Sequence, residues 1–280
     1  MPYIKTDDGV NLYYESVGEG TPLVFVHEYA GDHRSWEPQM RYFSRNFRCI
    51  AYSARGYTPS DIPTSADDYS QHRVSEDIRC VLDGLNIRQA HVVGLSMGAF
   101  ATLHFGMRYA TDAANSRALS LTLAGCGTGS HPSAYEGFQK ESIALADRIQ
   151  AEGMAEVAKT YSVAATRLAF QRKDPRGHEE FARMMGEHST PGSSLTARGY
   201  QGRRPSLYAL TEQIARVAVP TLVLTGDEDE PCLEPSLMLK RTIPGAALGI
   251  FPASGHGINL EEPALFNQML SDFLMRVSVR

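Results

Sequence analysis

Residues 90–125 constrain the fold more tightly than any other part of the chain. "AHVVGL" (90–95) is a near-continuous apolar run, the pattern of a β-strand covered on both faces. "AFATLHFGMRYA" (99–110) then reads as a helix, and "ALSLTLAG" (118–125) is a second run of strand length. Strand, helix, strand in that order calls for a parallel sheet with helices on both faces. The alternation extends upstream through "LYYESV" (12–17), the turn "EGTP", "LVFVHE" (23–28) and "FRCIAYS" (47–53). Between 53 and 90, Val74, Ile78, Val81, Leu82 and Leu85 make a helical stripe. The chain is therefore of the α/β class.

The pattern breaks after residue 129. From 130 to 215 the helical signal is weaker, rich in Ala, Gly, Arg and Met, and without a clear strand. Alternation resumes at "VPTLVLTGD" (219–227) and "AALGIFP" (246–252), and a last helix puts Leu265, Phe266, Met269, Leu270, Phe273 and Leu274 on one face. The expected organisation is a core from 1–129 and 216–280, with 130–215 inserted as a mainly helical unit resting on it.

Composition narrows the function. Across 280 residues the net charge is −5, and no run of basic residues exceeds two, so nucleic acid is not an expected partner. No apolar stretch approaches the ~18 residues of a membrane span, and "MPYIKTDDGVNLYY" has no signal-like apolar region, which predicts a cytoplasmic protein with no membrane partner. Cys49, Cys80, Cys126 and Cys232 are far apart, lack CxxC spacing and sit in or beside apolar segments, as buried free thiols do. No cluster of His, Asp or Glu at ligand spacing suggests a metal, and no Lys-bearing glycine loop suggests a nucleotide. No cofactor is expected; the partners are a small-molecule substrate and at most a second copy of the chain.

The chemistry concentrates in "HVVGLSMGAF" (91–100), where Gly94-x-Ser96-x-Gly98 falls between the buried strand and the helix. A tight strand-to-helix turn exposes a serine hydroxyl, and small residues must flank it because strand and helix backbones nearly touch. Ser96 is the candidate nucleophile. A serine needs a base, and the base an orienting carboxylate, both expected downstream at strand ends. His256, in the Gly-flanked loop of "FPASGHGINLEEP", is the only histidine placed to be that base. The acid lies among Asp227, Glu228, Asp229 and Glu230, of which two are expected to be solvated or capping.

Together "VFVHEYAG", "SARGYTPSD", "GLSMGAF", "VPTLVLTGDEDEP" and "SGHGINLEEP" resemble the α/β-hydrolase superfamily, in its branch of serine enzymes with a helical cap. The resemblance covers the core and not 130–215. It implies a mostly parallel eight-stranded sheet flanked by helices, with that insertion as a cap or lid. It also implies Asp229 as the acid, three residues after Gly226, with Asp227 the fallback, and the backbone N–H groups of Tyr29 and Met97 as the oxyanion hole. His27 is expected to brace the oxyanion turn. Where similar chains usually carry glycine, this one has Glu28. A carboxylate aimed at an oxyanion would oppose catalysis, so Glu28 is expected to be neutralised, with Arg55 at the same sheet edge as its partner; an outward, solvated glutamate or one that positions a water are the other readings.

A serine nucleophile points away from epoxide hydrolases and haloalkane dehalogenases, which need an aspartate there. The expected activity is hydrolysis of a small or medium carboxylic ester or lactone through an acyl-enzyme. Carbon–carbon bond hydrolysis, or a cofactor-free lyase, perhydrolase or oxygenase on the same scaffold, is the alternative, and a ligand receptor with a vestigial triad a further one. Trp36, Tyr135, Phe138, Met184, Met185 and Tyr208 are candidate pocket residues, and Arg198, Arg203 and Arg204 leave room for a carboxylate-bearing substrate.

Overall fold

The computed structural model describes residues 2–278. Its strands are β1 (Tyr3–Lys5), β2 (Asn11–Val17), β3 (Thr21–Val26), β4 (Phe47–Tyr52), β5 (Ala90–Leu95), β6 (Ala118–Ala124), β7 (Thr221–Gly226) and β8 (Ala247–Phe251). They form one eight-stranded sheet in the order β1-β2-β4-β3-β5-β6-β7-β8. The β1/β2 and β2/β4 pairs are antiparallel and all the others parallel. The helices of the first half are α1 (Glu37–Phe43), α2 (Gln71–Gly84) and α3 (Met97–Tyr109). Between β6 and β7 the chain runs through α4 (Tyr135–Glu152), α5 (Met154–Tyr161), α6 (Leu168–Lys173), α7 (Pro175–Gly186), α8 (Thr190–Thr196) and α9 (Thr211–Ile214). Then come α10 (Glu230–Thr242), α11 (Ile258–Glu261) and α12 (Pro263–Ser278).

Alternate residues of β3 explain the two-faced core. Val24 and Val26 join Val92, Leu121 and the α2 and α3 side chains Ile78, Val81, Leu103 and Phe105 on one face. Leu23 and Phe25 join Val93, Leu222 and the α1 and α12 side chains Phe43, Phe266, Leu270 and Phe273 on the other. With helices on both faces, every residue of β5 is buried, and its one polar side chain, His91, finds its partner in Ser120 Oγ of β6 at 2.7 Å. Ile149, Val157, Phe170, Met185 and Tyr200 from 130–215 belong to the first cluster, so the insert shares the core's apolar packing.

The strand order places the site. β3 lies between β4 and β5, so the chain leaves β3 toward one side and later returns on the other. The loops at the carboxyl ends of β3 and β5 therefore diverge and leave a crevice. β7 and β8 run parallel to them and bring their own carboxyl-end loops to the same edge.

Candidate active site

Ser96 occupies the turn between β5 and α3 with φ 54° and ψ −116°, a strained backbone for a residue with a side chain. Packing holds it there. A Cβ on Gly94 would strike Gly98 O, and one on Gly98 would strike the carbonyl of Val26 in β3. Small residues at both positions let strand and helix close on each other, and the turn presents the hydroxyl to the crevice.

His256 comes from the loop after β8. Its Nε2 lies 2.7 Å from Ser96 Oγ, and its Nδ1 2.6 Å from Asp229 Oδ2. Asp229 ends the loop after β7 and is 0% exposed. Burial pushes its carboxyl pKa up, but the imidazole of His256 and, behind it, Arg167 outweigh this and hold it below the usual value. Asp227 lies on the surface and accepts the Ser254 N–H at 3.0 Å, so Asp229 and not Asp227 stands against the imidazole. Glu261 accepts the Gly255 and Gly257 amides at 2.7 and 2.9 Å and so pins both sides of His256.

The backbone amides of Tyr29 and Met97 donate to no acceptor among the described residues, and Met97 opens α3, where the helix dipole favours negative charge. His27 joins two loops. Its Nε2 accepts the Ala54 N–H at 2.9 Å, so Nδ1 carries the proton and donates to Glu28 O at 2.7 Å. Burial lowers its pKa to about 4, which keeps the ring neutral.

The expected Glu28–Arg55 pair is not formed. Arg55 makes a bidentate pair with Asp77, at 2.6 and 2.8 Å, and a further one with Asp8 at 2.9 Å. Asp77 lies on α2 and Asp8 in the turn between β1 and β2. Glu28, 1% exposed, pairs instead with Arg167 from the insert, which donates through Nη1 at 2.9 Å and through Nη2. Its neighbour Thr166 accepts the His256 backbone N–H at 2.9 Å. Residues 166 and 167 thus hold both the turn after β3 and the histidine loop. No periodicity or motif marks them in the sequence.

A cavity of ≈ 310 Å³ opens onto Ser96 and His256, walled by Tyr29 and by insert residues including Phe138, Arg167 and Arg204. Of the expected pocket residues only Phe138 lines it. Trp36 is buried beneath the sheet, stacked on Phe25 at 5.0 Å. Met185 is in the apolar core, and Met184 lines a small separate crevice. The Tyr135 hydroxyl donates to Arg204 O at 3.1 Å, and Tyr208 packs edge-on to His131. Asp229, Cys232 and His256 are the one group of potential metal ligands close enough to share an ion among the described residues. Two of them already form the hydrogen-bonded chain to Ser96, and the third is a thiol that burial keeps protonated.

A strained serine on a strand-to-helix turn, hydrogen-bonded to a histidine that a buried aspartate orients, at the carboxyl edge of a parallel sheet, defines the class of hydrolases built on doubly wound α/β sheets. The family model described as alpha/beta hydrolase fold matches residues 21–263, and the chain belongs to that family as an enzyme of hydrolase type. It is similar to the AB hydrolase superfamily protein YisY of Bacillus subtilis (strain 168), 28% identical over 97% of this chain and 98% of the relative. It is also similar to the 3-oxoadipate enol-lactonase 1 of Acinetobacter baylyi, 26% identical over 91% of this chain and 89% of the relative. Among solved structures, a hydrolase from Pseudomonas aeruginosa PA01 superposes with a TM-score of 0.83, at 27% identity over 97% of each chain. No helix of the described residues is long and apolar enough to cross a membrane.

Proposed function

We propose that the chain is a serine hydrolase that cleaves a small or medium carboxylic ester or lactone by two-step acyl transfer, with residues 130–215 as the cap that shapes its substrate site. The observation that carries this reading is the hydrogen-bonded series Asp229–His256–Ser96 opening on a cavity. His256 takes the proton of Ser96 as Oγ attacks the carbonyl, and the Tyr29 and Met97 amides hold the oxyanion. His256 then gives its proton to the leaving oxygen, and water releases the acyl group by the reverse route. Asp229 keeps the imidazole in the tautomer whose Nε2 faces Ser96. At ≈ 310 Å³ the cavity is at the small end of ligand pockets (roughly 300–1,000 Å³), which suits a compact substrate. The lactonase relative supports the lactone half of the reading.

The test is hydrolysis of p-nitrophenyl esters from acetate to octanoate by wild type and by Ser96→Ala. The expected result is turnover with a short-chain optimum, falling by about 10⁴–10⁶-fold in the variant. Equal rates for the two proteins on every ester and on a panel of lactones would overturn the proposal.

A further inference from the structure

Four arginines of the insert bear on the substrate question, and three of them have carboxylate partners. Arg167 pairs with Glu28, Arg198 with Asp147 and Arg203 with Asp67, the last two on the surface. Arg204 has none among the described residues. It is only 4% exposed and lines the cavity that holds Ser96 and His256. Its Nη1 donates to Gln201 Oε1 and its Nη2 to Thr128 O, the second at 2.6 Å. The guanidinium packs against the rings of Phe100 and Phe138, 3.8 and 4.6 Å from their centroids. These contacts fix the plane of the group and leave part of its donor fork unused. Burial pulls its pKa down to about 10, and the groups that oppose this, Tyr200, Cys126, Cys232 and Tyr161, are uncharged at neutral pH.

A guanidinium removed from water without a counter-charge is costly, and proteins keep such a group where a ligand supplies the charge. The other buried charges around the cavity are already matched. Glu28 answers Arg167, and Asp229 is engaged with His256. Glu141 also borders the cavity, but it is exposed and forms no ion pair with Arg204. The wall beside the candidate nucleophile therefore carries one unmatched, oriented cation. A planar fork of this kind suits a carboxylate.

Resting on the hydrolase reading above, we propose that Arg204 is the anion-recognition residue of this cavity and that the substrate is an ester or lactone bearing a second, free carboxylate. The site then discriminates against neutral esters of the same size, because an unpaired guanidinium stays buried when they bind.

The experiment compares 4-nitrophenyl hydrogen glutarate with its neutral counterpart 4-nitrophenyl valerate, in wild type, Arg204→Gln and Arg204→Lys, with Ser96→Ala as the background. Thermal unfolding in the presence of glutarate or glutaramide is measured on the same four proteins. Wild type is expected to prefer the hemiester by at least roughly tenfold in kcat/KM, chiefly through KM, and to be stabilised by glutarate and not by glutaramide. In Arg204→Gln the preference falls to near unity and the glutarate shift disappears, while Arg204→Lys keeps part of both. A purely structural arginine would lower both substrates alike and leave their ratio intact. An unchanged ratio together with an unchanged glutarate shift in Arg204→Gln overturns the proposal. If wild type turns over both esters equally while Ser96→Ala turns over neither, and glutarate gives no shift, the hydrolase reading stands and the anion site falls. If no ester is turned over, the hydrolase reading is the one in trouble, and the glutarate shift alone decides the anion site.

Discussion

Asp227 and Asp229 are two positions apart and occupy opposite environments. Asp227 caps the turn before His256 through the Ser254 amide, on the surface. Asp229 is buried and sits 2.6 Å from the imidazole. Asp229→Asn would offer the imidazole an amide, favour the wrong tautomer and lower kcat by about 10⁴-fold on a p-nitrophenyl ester. Asp227→Asn removes one exposed turn contact and should change kcat by no more than a few-fold. Similar losses in the two variants would sink the assignment of Asp229 as the orienting acid. The run of four acids in the sequence states no direction for any of its side chains. The direction comes from the close approach of the loops after β7 and β8, where a Cβ on Gly226 would meet the carbonyls of Ser254 and Gly255.

At the scale of elements, the turn after β3 and the histidine loop are both tied to the short segment 165–167. Glu28→Gln leaves the Arg167 cation buried without its partner, and its expected cost is about 3–5 kcal/mol of stability. The same variant should lower kcat more than it raises KM, because the displaced turn carries the Tyr29 amide. Adding Arg167→Met to Glu28→Gln replaces the stranded charge with an apolar side chain and should recover most of the stability in denaturant titrations. Simple additivity of the two losses would show that the pair acts as two independent residues. Elements that announce themselves locally were readable from sequence: β5, the Ser96 turn, the stripe of α2 and the face of α12 each depend on a few neighbouring residues. The β1 strand, three residues long, α1, seven long, and α10, interrupted by Pro235, carry too little periodic signal to be read that way. The partner of Glu28 was illegible for a different reason. Arg167 is 139 residues away, in an insert whose packing no core pattern dictates. Arg55, the nearer and more obvious cation, is consumed by Asp77 and Asp8. Trp36 misled because a lone tryptophan invites a binding role, whereas its ring fills the space between α12 and the sheet.

For the molecule as a whole, burying a helix-covered sheet also buries titratable side chains, and this sets the acid limit of stability. His27 lies in the turn after β3, His91 in β5 and His104 in α3, and burial lowers each pKa to about 4. In the unfolded chain they titrate near 6.5. Between those values the unfolded state binds protons that the native state refuses, so stability must fall as pH drops from about 6.5 toward 4. Each histidine contributes a slope of about 1.4 kcal/mol per pH unit within that window, and the contribution vanishes above it. The paired carboxylates act lower down: Asp8, held at about 2 chiefly by Arg55 against the opposing effect of burial, adds stability that is lost only as pH falls below about 4. Urea titrations at pH 7.5, 6.5, 5.5 and 4.5 should therefore show a plateau followed by a steep decline, with uptake of about three protons on unfolding near pH 5. His91, whose ring contacts Ser120 inside the sheet far from the candidate site, allows a clean check. His91→Asn should reduce the slope between pH 6.5 and 4.5 by about one proton, whatever it does to the stability at pH 7.5. A wild-type stability that stays flat down to pH 4.5 would mean that these rings are hydrated and protonated in the folded protein, contrary to the packing described.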